Sequence, residues 1–335
     1  ATKTLESRRH ATSSLQADLG PASPVVAAGF SDDGQQVLMA TRSGVASVFH
    51  ADGRPQEQWH ADAGDLTCAQ LAGKGELIAL SGGSPESLTI WNTQPKWRLE
   101  QTLGGPNDAT TLLEDRVLAL EFSPDGRLLA IGGGAASGSG QVIVWNLEDD
   151  RLHCQLERPH DDAVLGLSFS HDGQYLATAS ADRMMKAFNV RDGSYVRLFE
   201  GHTHHVLDVA WRANGLQLAT ASADKSIKIW NFDRGEQVRT LLGAGKEITG
   251  VEFLGISSHL VAAAGDGAAR VYNADDGQAV RTISAGGDYL MSCDVTDSGE
   301  LVVTAGVQRI LRAHNISDGA ERNAFAVPQA TREDP

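Results

Sequence analysis

One side chain type returns along this chain at a nearly fixed interval. Aromatic residues stand at Phe49, Trp91, Trp145, Phe188, Trp230 and Tyr272, and His314 takes the seventh place. The steps between them are 42, 54, 43, 42, 42 and 42 residues. Asparagine follows six of the seven, as Asn92, Asn146, Asn189, Asn231, Asn273 and Asn315. A second mark precedes each by 19, 20 or 23 residues: Phe30, Leu71, Phe122, Phe169, Trp211, Phe253 and Val295. A unit repeated every 40–45 residues or so cannot bury its own apolar faces and needs copies of itself as neighbours. The period predicts an all-β fold, a seven-bladed β-propeller of four-stranded antiparallel blades.

The clearest unit is residues 201–231, GHTHHVLDVAWRANGLQLATASADKSIKIWN. It opens with Gly-His, closes with Trp-Asn, and carries Ser-Ala-Asp six residues before the Trp. Hairpin turns ending in glycine recur at residues 31–34, 123–126, 170–173, 212–215 and 296–299. Glycine is expected there because the last turn residue needs a positive φ. Small and large residues alternate in the second strands, LATASAD, LATASAD, LVAAAGD and LVVTAGV, as sheets stacked on both faces require.

These motifs resemble those of the WD40 repeat proteins, with Asn where that family usually has the Asp of its Trp-Asp pair. The resemblance covers about residues 24–327 and looks most like bacterial members. It implies a buried hydrogen-bond chain in blade five, from Trp230 to Ser222 to His202, with His202 held by Asp224. In blade four it implies a shorter set, His160, Ser180 and Asp182, because Phe188 replaces the Trp. Blade six keeps Asp266 and Tyr272 but lacks the His.

The expected organisation is an N-terminal segment (1–23) lying along the last blade, with a short strand near residues 5–10. Blades follow at about 24–60, 61–103, 104–157, 158–200, 201–242, 243–284 and 285–327, then a tail over 328–335. Blade three is enlarged twice. Its incoming loop, residues 104–116, has eight extra residues, and the turn between its second and third strands, residues 132–140, has four. Both are expected to open on one rim, where recognition tends to sit. The candidate partner contacts are Glu114, Asp115, Arg116, Ser137 and Ser139, with His204, His205, Lys246, Glu247, Asp288 and Tyr289 on neighbouring incoming loops. The glycine-rich run 132–140 lacks the Lys-Ser/Thr of a phosphate loop and is expected to be flexible.

The formal charge of −15 repels phosphate backbones, so nucleic-acid binding is not expected, and a basic or neutral protein or peptide is the favoured partner. No apolar run approaches the ~20 residues that span a bilayer. The chain starts without Met, which leaves its compartment open. Cys68, Cys154 and Cys293 form no Cys-x-x-Cys pair and suit buried thiols. His204 and His205 alone make a poor metal site, so neither metal nor cofactor is expected. The Ser, His and Asp of each repeat sit between strands, and no Gly-x-Ser-x-Gly elbow presents a nucleophile. A carboxylate cluster on the innermost strands is not apparent, so a channel enzyme is not favoured. The reading is a non-catalytic scaffold. Its alternative is the propeller portion of an extracytoplasmic redox protein fused to a c-type cytochrome domain.

Overall fold

The structure, a computed structural model, describes residues 23–326 apart from 32, 62–64, 73–74, 83–86, 93–97, 104–112, 114, 158, 297 and 309. The expected N-terminal strand, the tail, Glu114 and most of the first blade-three loop lie outside these residues. The described chain forms seven four-stranded antiparallel sheets and no helix. The propeller predicted from the period is therefore the fold.

Each sheet is built from four strands consecutive in sequence. The seven first strands face a common axis: Val25–Phe30, Leu66–Ala72, Val117–Phe122, Val164–Phe169, Val206–Trp211, Ile248–Phe253 and Leu290–Val295. The recurring aromatic has a geometric role. In every blade the pairing of third and fourth strands slips at that residue, as between Ile229 and Trp230 or Ala313 and His314. A matching slip marks the top of each first strand. Bulges sharpen right-handed twist, so their sevenfold recurrence gives every blade the same pitch. The five hairpin glycines Gly34, Gly126, Gly173, Gly215 and Gly299 have φ between 64° and 74°, as the turn requires.

Apolar packing lies between blades rather than within them. One cluster joins Ala219, Ile227 and Ile229 of blade five to Val251, Phe253 and Leu260 of blade six. The same holds where the ring closes. Val25, Phe30, Met39 and Phe49 of blade one pack on Val303, Leu311 and Phe325 of blade seven. Phe49 and Phe325 have ring centroids 5.2 Å apart. No strand is exchanged between first and last blades among the described residues. Among these residues, side chains join the first and last blades. On the inside, Phe30 N–H donates to Asp294 Oδ2 at 2.6 Å. On the outside, Asn323 Nδ2 donates to the Ala51 carbonyl at 2.9 Å. The outer bond repeats a girdle seen elsewhere: Arg239 reaches the Asp275 carbonyl at 2.8 Å and Arg281 the Asp318 carbonyl at 3.1 Å.

Candidate functional site

The upper rim carries the incoming loops and the turns between second and third strands. Backbone bonds tie the two together in successive blades: Gly134 N to Arg116 O, Ala181 N to Ala163 O, Ala223 N to His205 O, Gly265 N to Glu247 O, and Val307 N to Tyr289 O, at 2.9–3.2 Å. Beneath the blade-five loop sits the buried chain. Trp230 Nε1–H donates to Thr220 Oγ1 at 2.9 Å, and Thr220 Oγ1 lies 2.7 Å from His202 Nε2. His202 Nδ1 meets Asp224 Oδ2 at 2.8 Å. Burial lowers the His202 pKa against the pull of Asp224, so the ring is neutral. Its Nδ1–H donates to the carboxylate, and its Nε2 accepts the threonine hydroxyl proton. Burial works against a charged Asp224, but bonds from Ser226, His202 and Thr203 outweigh it and bring that carboxyl down to about 2.

The relay is Thr220, and the expectation of Ser222 is corrected. Strand register supplies the reason. Leu218 pairs with Trp230 and Thr220 with Lys228. The indole therefore reaches one step up its own face, to Thr220, while Ser222 lies a further step beyond. Ser222 Oγ instead donates to the His205 carbonyl at 2.8 Å and accepts Asp224 N–H at 3.0 Å, which fastens the loop. Blade four repeats the correction. His160 Nε2 lies 2.7 Å from Thr178 Oγ1 and its Nδ1 2.8 Å from Asp182, while Ser180 Oγ donates to the Asp162 carbonyl. In blade six Arg270 takes the place of the histidine and grips both oxygens of Asp266, at 3.0 and 2.7 Å. Blade seven has Gly286 and Gln308 at the His and Asp positions, and leaves Thr304 Oγ1 and His314 Nδ1 buried without a partner.

The rim candidates divide. Arg116 N–H and its side chain turn onto Asp115, and the Arg116 carbonyl accepts Gly134 N–H at 3.0 Å. Ser137, at φ 60°, donates its N–H to Asp162 Oδ1 of the next incoming loop at 2.9 Å. Ser139 is exposed on the same turn. The run 132–140 is thus not a free loop. Residues 132–134 and 140 belong to strands, and a Cβ on Gly133 would fall 1.8 Å from the Arg116 carbonyl oxygen. Glycine is used there for close backbone approach. His204 and His205 are exposed with rings 4.4 Å apart, and His204 Nδ1 already accepts the His205 N–H. Among the described residues no group of three or more His, Cys, Asp or Glu side chains is placed to hold a metal ion. Tyr289 O–H donates to Glu247, and Lys246 Nζ stands 5.7 Å over the Tyr289 ring. Asp288 departs from expectation. It is buried, 5 % exposed, and its carboxylate accepts Gln308 N–H at 2.9 Å, so it braces a turn and presents nothing outward.

The axis holds what sequence reading missed. Glu121, Asp208, Glu252 and Asp294 all line a central channel of about 330 Å³, with Cys68 and Cys293. The absence of a carboxylate cluster there is corrected. The signal was available: Glu121, Glu252 and Asp294 immediately precede the second mark of their repeats, and Asp208 stands three before it. Period-two alternation puts all four on one face. Burial, then neighbouring acids, pushes Glu121 and Glu252 well above the usual carboxyl range, and burial raises Asp208 to about 7. None of the three cysteines is in a disulfide.

Fold and rim together define a β-propeller repeat protein. The WD domain, G-beta repeat profile matches residues 101–146, 153–189 and 193–231. The chain thus carries WD40 repeats over these residues. It is 31 % identical over 131 residues to WD repeat-containing protein VIP3 of Arabidopsis thaliana, covering 37 % of this chain and 36 % of that protein. It is 30 % identical over 163 residues to the Chromatin assembly factor 1 subunit FAS2 homolog of Oryza sativa, covering 45 % and 30 %. Against human Angio-associated migratory cell protein it is 27 % identical over 177 residues, covering 52 % and 37 %. The matches thus span little more than a third of these relatives at most. The relatives are eukaryotic, so a particular likeness to bacterial propellers is not supported, and nothing supports a cytochrome fusion. No described helix is long and apolar enough to cross a membrane.

Proposed function

We propose that this protein is a non-catalytic platform that holds a protein or peptide partner on its upper rim. The observation that carries this reading is the meeting of both blade-three enlargements at one place. Arg116 ends the first and its carbonyl bonds to Gly134, where the second begins. The second then leans on blade four through Ser137 and Asp162. Long connections fixed to a rigid ring give a shaped surface without large ordering cost. Contacts are assigned to Asp115, Arg116, Ser137, Ser139, His204, His205, Lys246, Glu247 and Tyr289, with Glu114 in the adjoining loop. The net charge of −15 favours a neutral or basic partner.

The channel carboxylates do not argue for an enzyme. Asp208 and Asp294 each use both oxygens on backbone N–H groups, as structural acceptors do.

The test is affinity capture from the native host with three forms of the full chain. These are the unaltered protein, one with residues 104–116 shortened to the regular loop length, and one with Tyr195→Ala on the outer edge of blade four. Partners retained by the first and third forms and reduced at least tenfold in the second are expected. Equal capture by all three rules out the enlarged rim as the binding surface.

A further inference from the structure

The channel is more than a lining. Asp208 Oδ2 accepts Val251 N–H at 2.9 Å, and so joins blade five to blade six. Asp294 Oδ2 accepts Phe30 N–H at 2.6 Å, and so joins blade seven to blade one. Gly250 and Gly29 lie beside the crossings with room for ordinary contact. A Cβ there would lie 3.7 Å from Asp208 Oδ2 and 3.4 Å from Asp294 Oδ2. Both junctions open on the void that also holds Glu121 and Glu252.

The titratable wall can be named strand by strand. Blade one contributes none, and blade two contributes Cys68. Blade three contributes Glu121, which accepts a bond from Gln70 Nε2 at 3.3 Å. Blade four presents Ser168 and no titratable group. Blades five and six add Asp208 and Glu252, and blade seven adds Cys293 and Asp294. No Lys, Arg or His is among the described residues lining this void. Crowding carboxyl groups into one secluded space of low dielectric disfavours charging them together.

We propose that the channel makes closure of the ring sensitive to protons, so that charge crowded onto Glu121, Asp208 and Glu252 weakens the ring once these side chains lose their protons. The sign follows from linkage. The folded carboxyls of Asp208, Glu121 and Glu252 lie above their unfolded values, so the folded ring holds protons that the unfolded chain releases. Their contribution is complete below the unfolded carboxyl range and is lost as pH rises through the folded values, about 7 for Asp208. The buried His160 and His202, with lowered pKa values, are neutral in the folded state and nearly so in the unfolded one over the upper part of this window, and add little there. Burial raises the Cys293 thiol well above its ordinary value, so it responds only at more alkaline pH.

Two measurements test this on the full chain. Between pH 6.5 and 8.5 the melting temperature is expected to fall by about 5 °C. In the Glu121→Gln, Glu252→Gln double variant at least half of that fall should disappear. An equal fall in both proteins overturns the proposal. Because the variant has to fold to be read, the amide shift of Val251 is also followed by NMR in the unaltered protein. It is expected to move across this window with a midpoint near 7. A Val251 amide that stays still from pH 5.5 to 8.5 overturns the proposal independently.

Discussion

Thr220→Val is expected to cost about 3 kcal/mol of folding stability. Valine fills the same volume, so the loss isolates the hydroxyl. Without it, Trp230 Nε1–H and His202 Nε2 both lose their partner in a site closed to water. A buried polar atom left unpaired costs about 1–3 kcal/mol, and here two are left. The matched change in blade four supplies the control. Thr178→Val should cost only about 1–2 kcal/mol, because Phe188 offers no N–H and only His160 is orphaned. Ser222→Ala, in the residue first expected to be the relay, should cost about 1 kcal/mol. Urea unfolding of the three variants ranks them. If Ser222→Ala matched or exceeded Thr220→Val, the assignment of the relay would be wrong.

Phe325→Ala is expected to cost about 3–5 kcal/mol. The ring is 2 % exposed and packs on Phe49 at the junction of the last blade with the first. Among the described residues no shared strand backs up that junction. Asn323→Ala, in the outer bond of the same junction, should cost about 1 kcal/mol, since one neutral hydrogen bond is lost at a partly wet site. Hydrogen exchange distinguishes a junction effect from a general one. The amides of Val25–Phe30 and Ile310–Asn315 should lose protection in Phe325→Ala before those of Ile227–Asn231 do. A cost under about 1 kcal/mol, or uniform loss of protection, would show that the seam does not rest on this pair.

The architecture was legible because its cause is periodic. Bulky residues every 42 positions fall where strands slip and twist, and that spacing survives even when His314 replaces an aromatic. Two features were hidden for different reasons. The relay depended on how far an indole reaches along a strand. Motif matching places Ser222 and Thr220 on one face alike, and only the register of Leu218 with Trp230 separates them. The channel acids are single residues scattered over four repeats, 121, 208, 252 and 294. They look like solvated charges until ring closure brings them to one axis. Asp288 shows the converse error. A charged residue in an exposed-looking loop is buried because Gln308 has a backbone N–H that needs an acceptor.

Because every sheet is one uninterrupted stretch of chain, the order of sheets and the position of the ends are separable properties. With the present ends joined by a suitable link, the polypeptide can be cut between Gln155 and Val164, or in any other connection between sheets, without dividing a hydrogen-bonded ladder. Such a rearranged molecule keeps all seven sectors whole and moves only the point of closure. Among the described residues the seam is a matter of which side chains meet there, and moving it to another pair of adjacent sectors is expected to leave the ring intact.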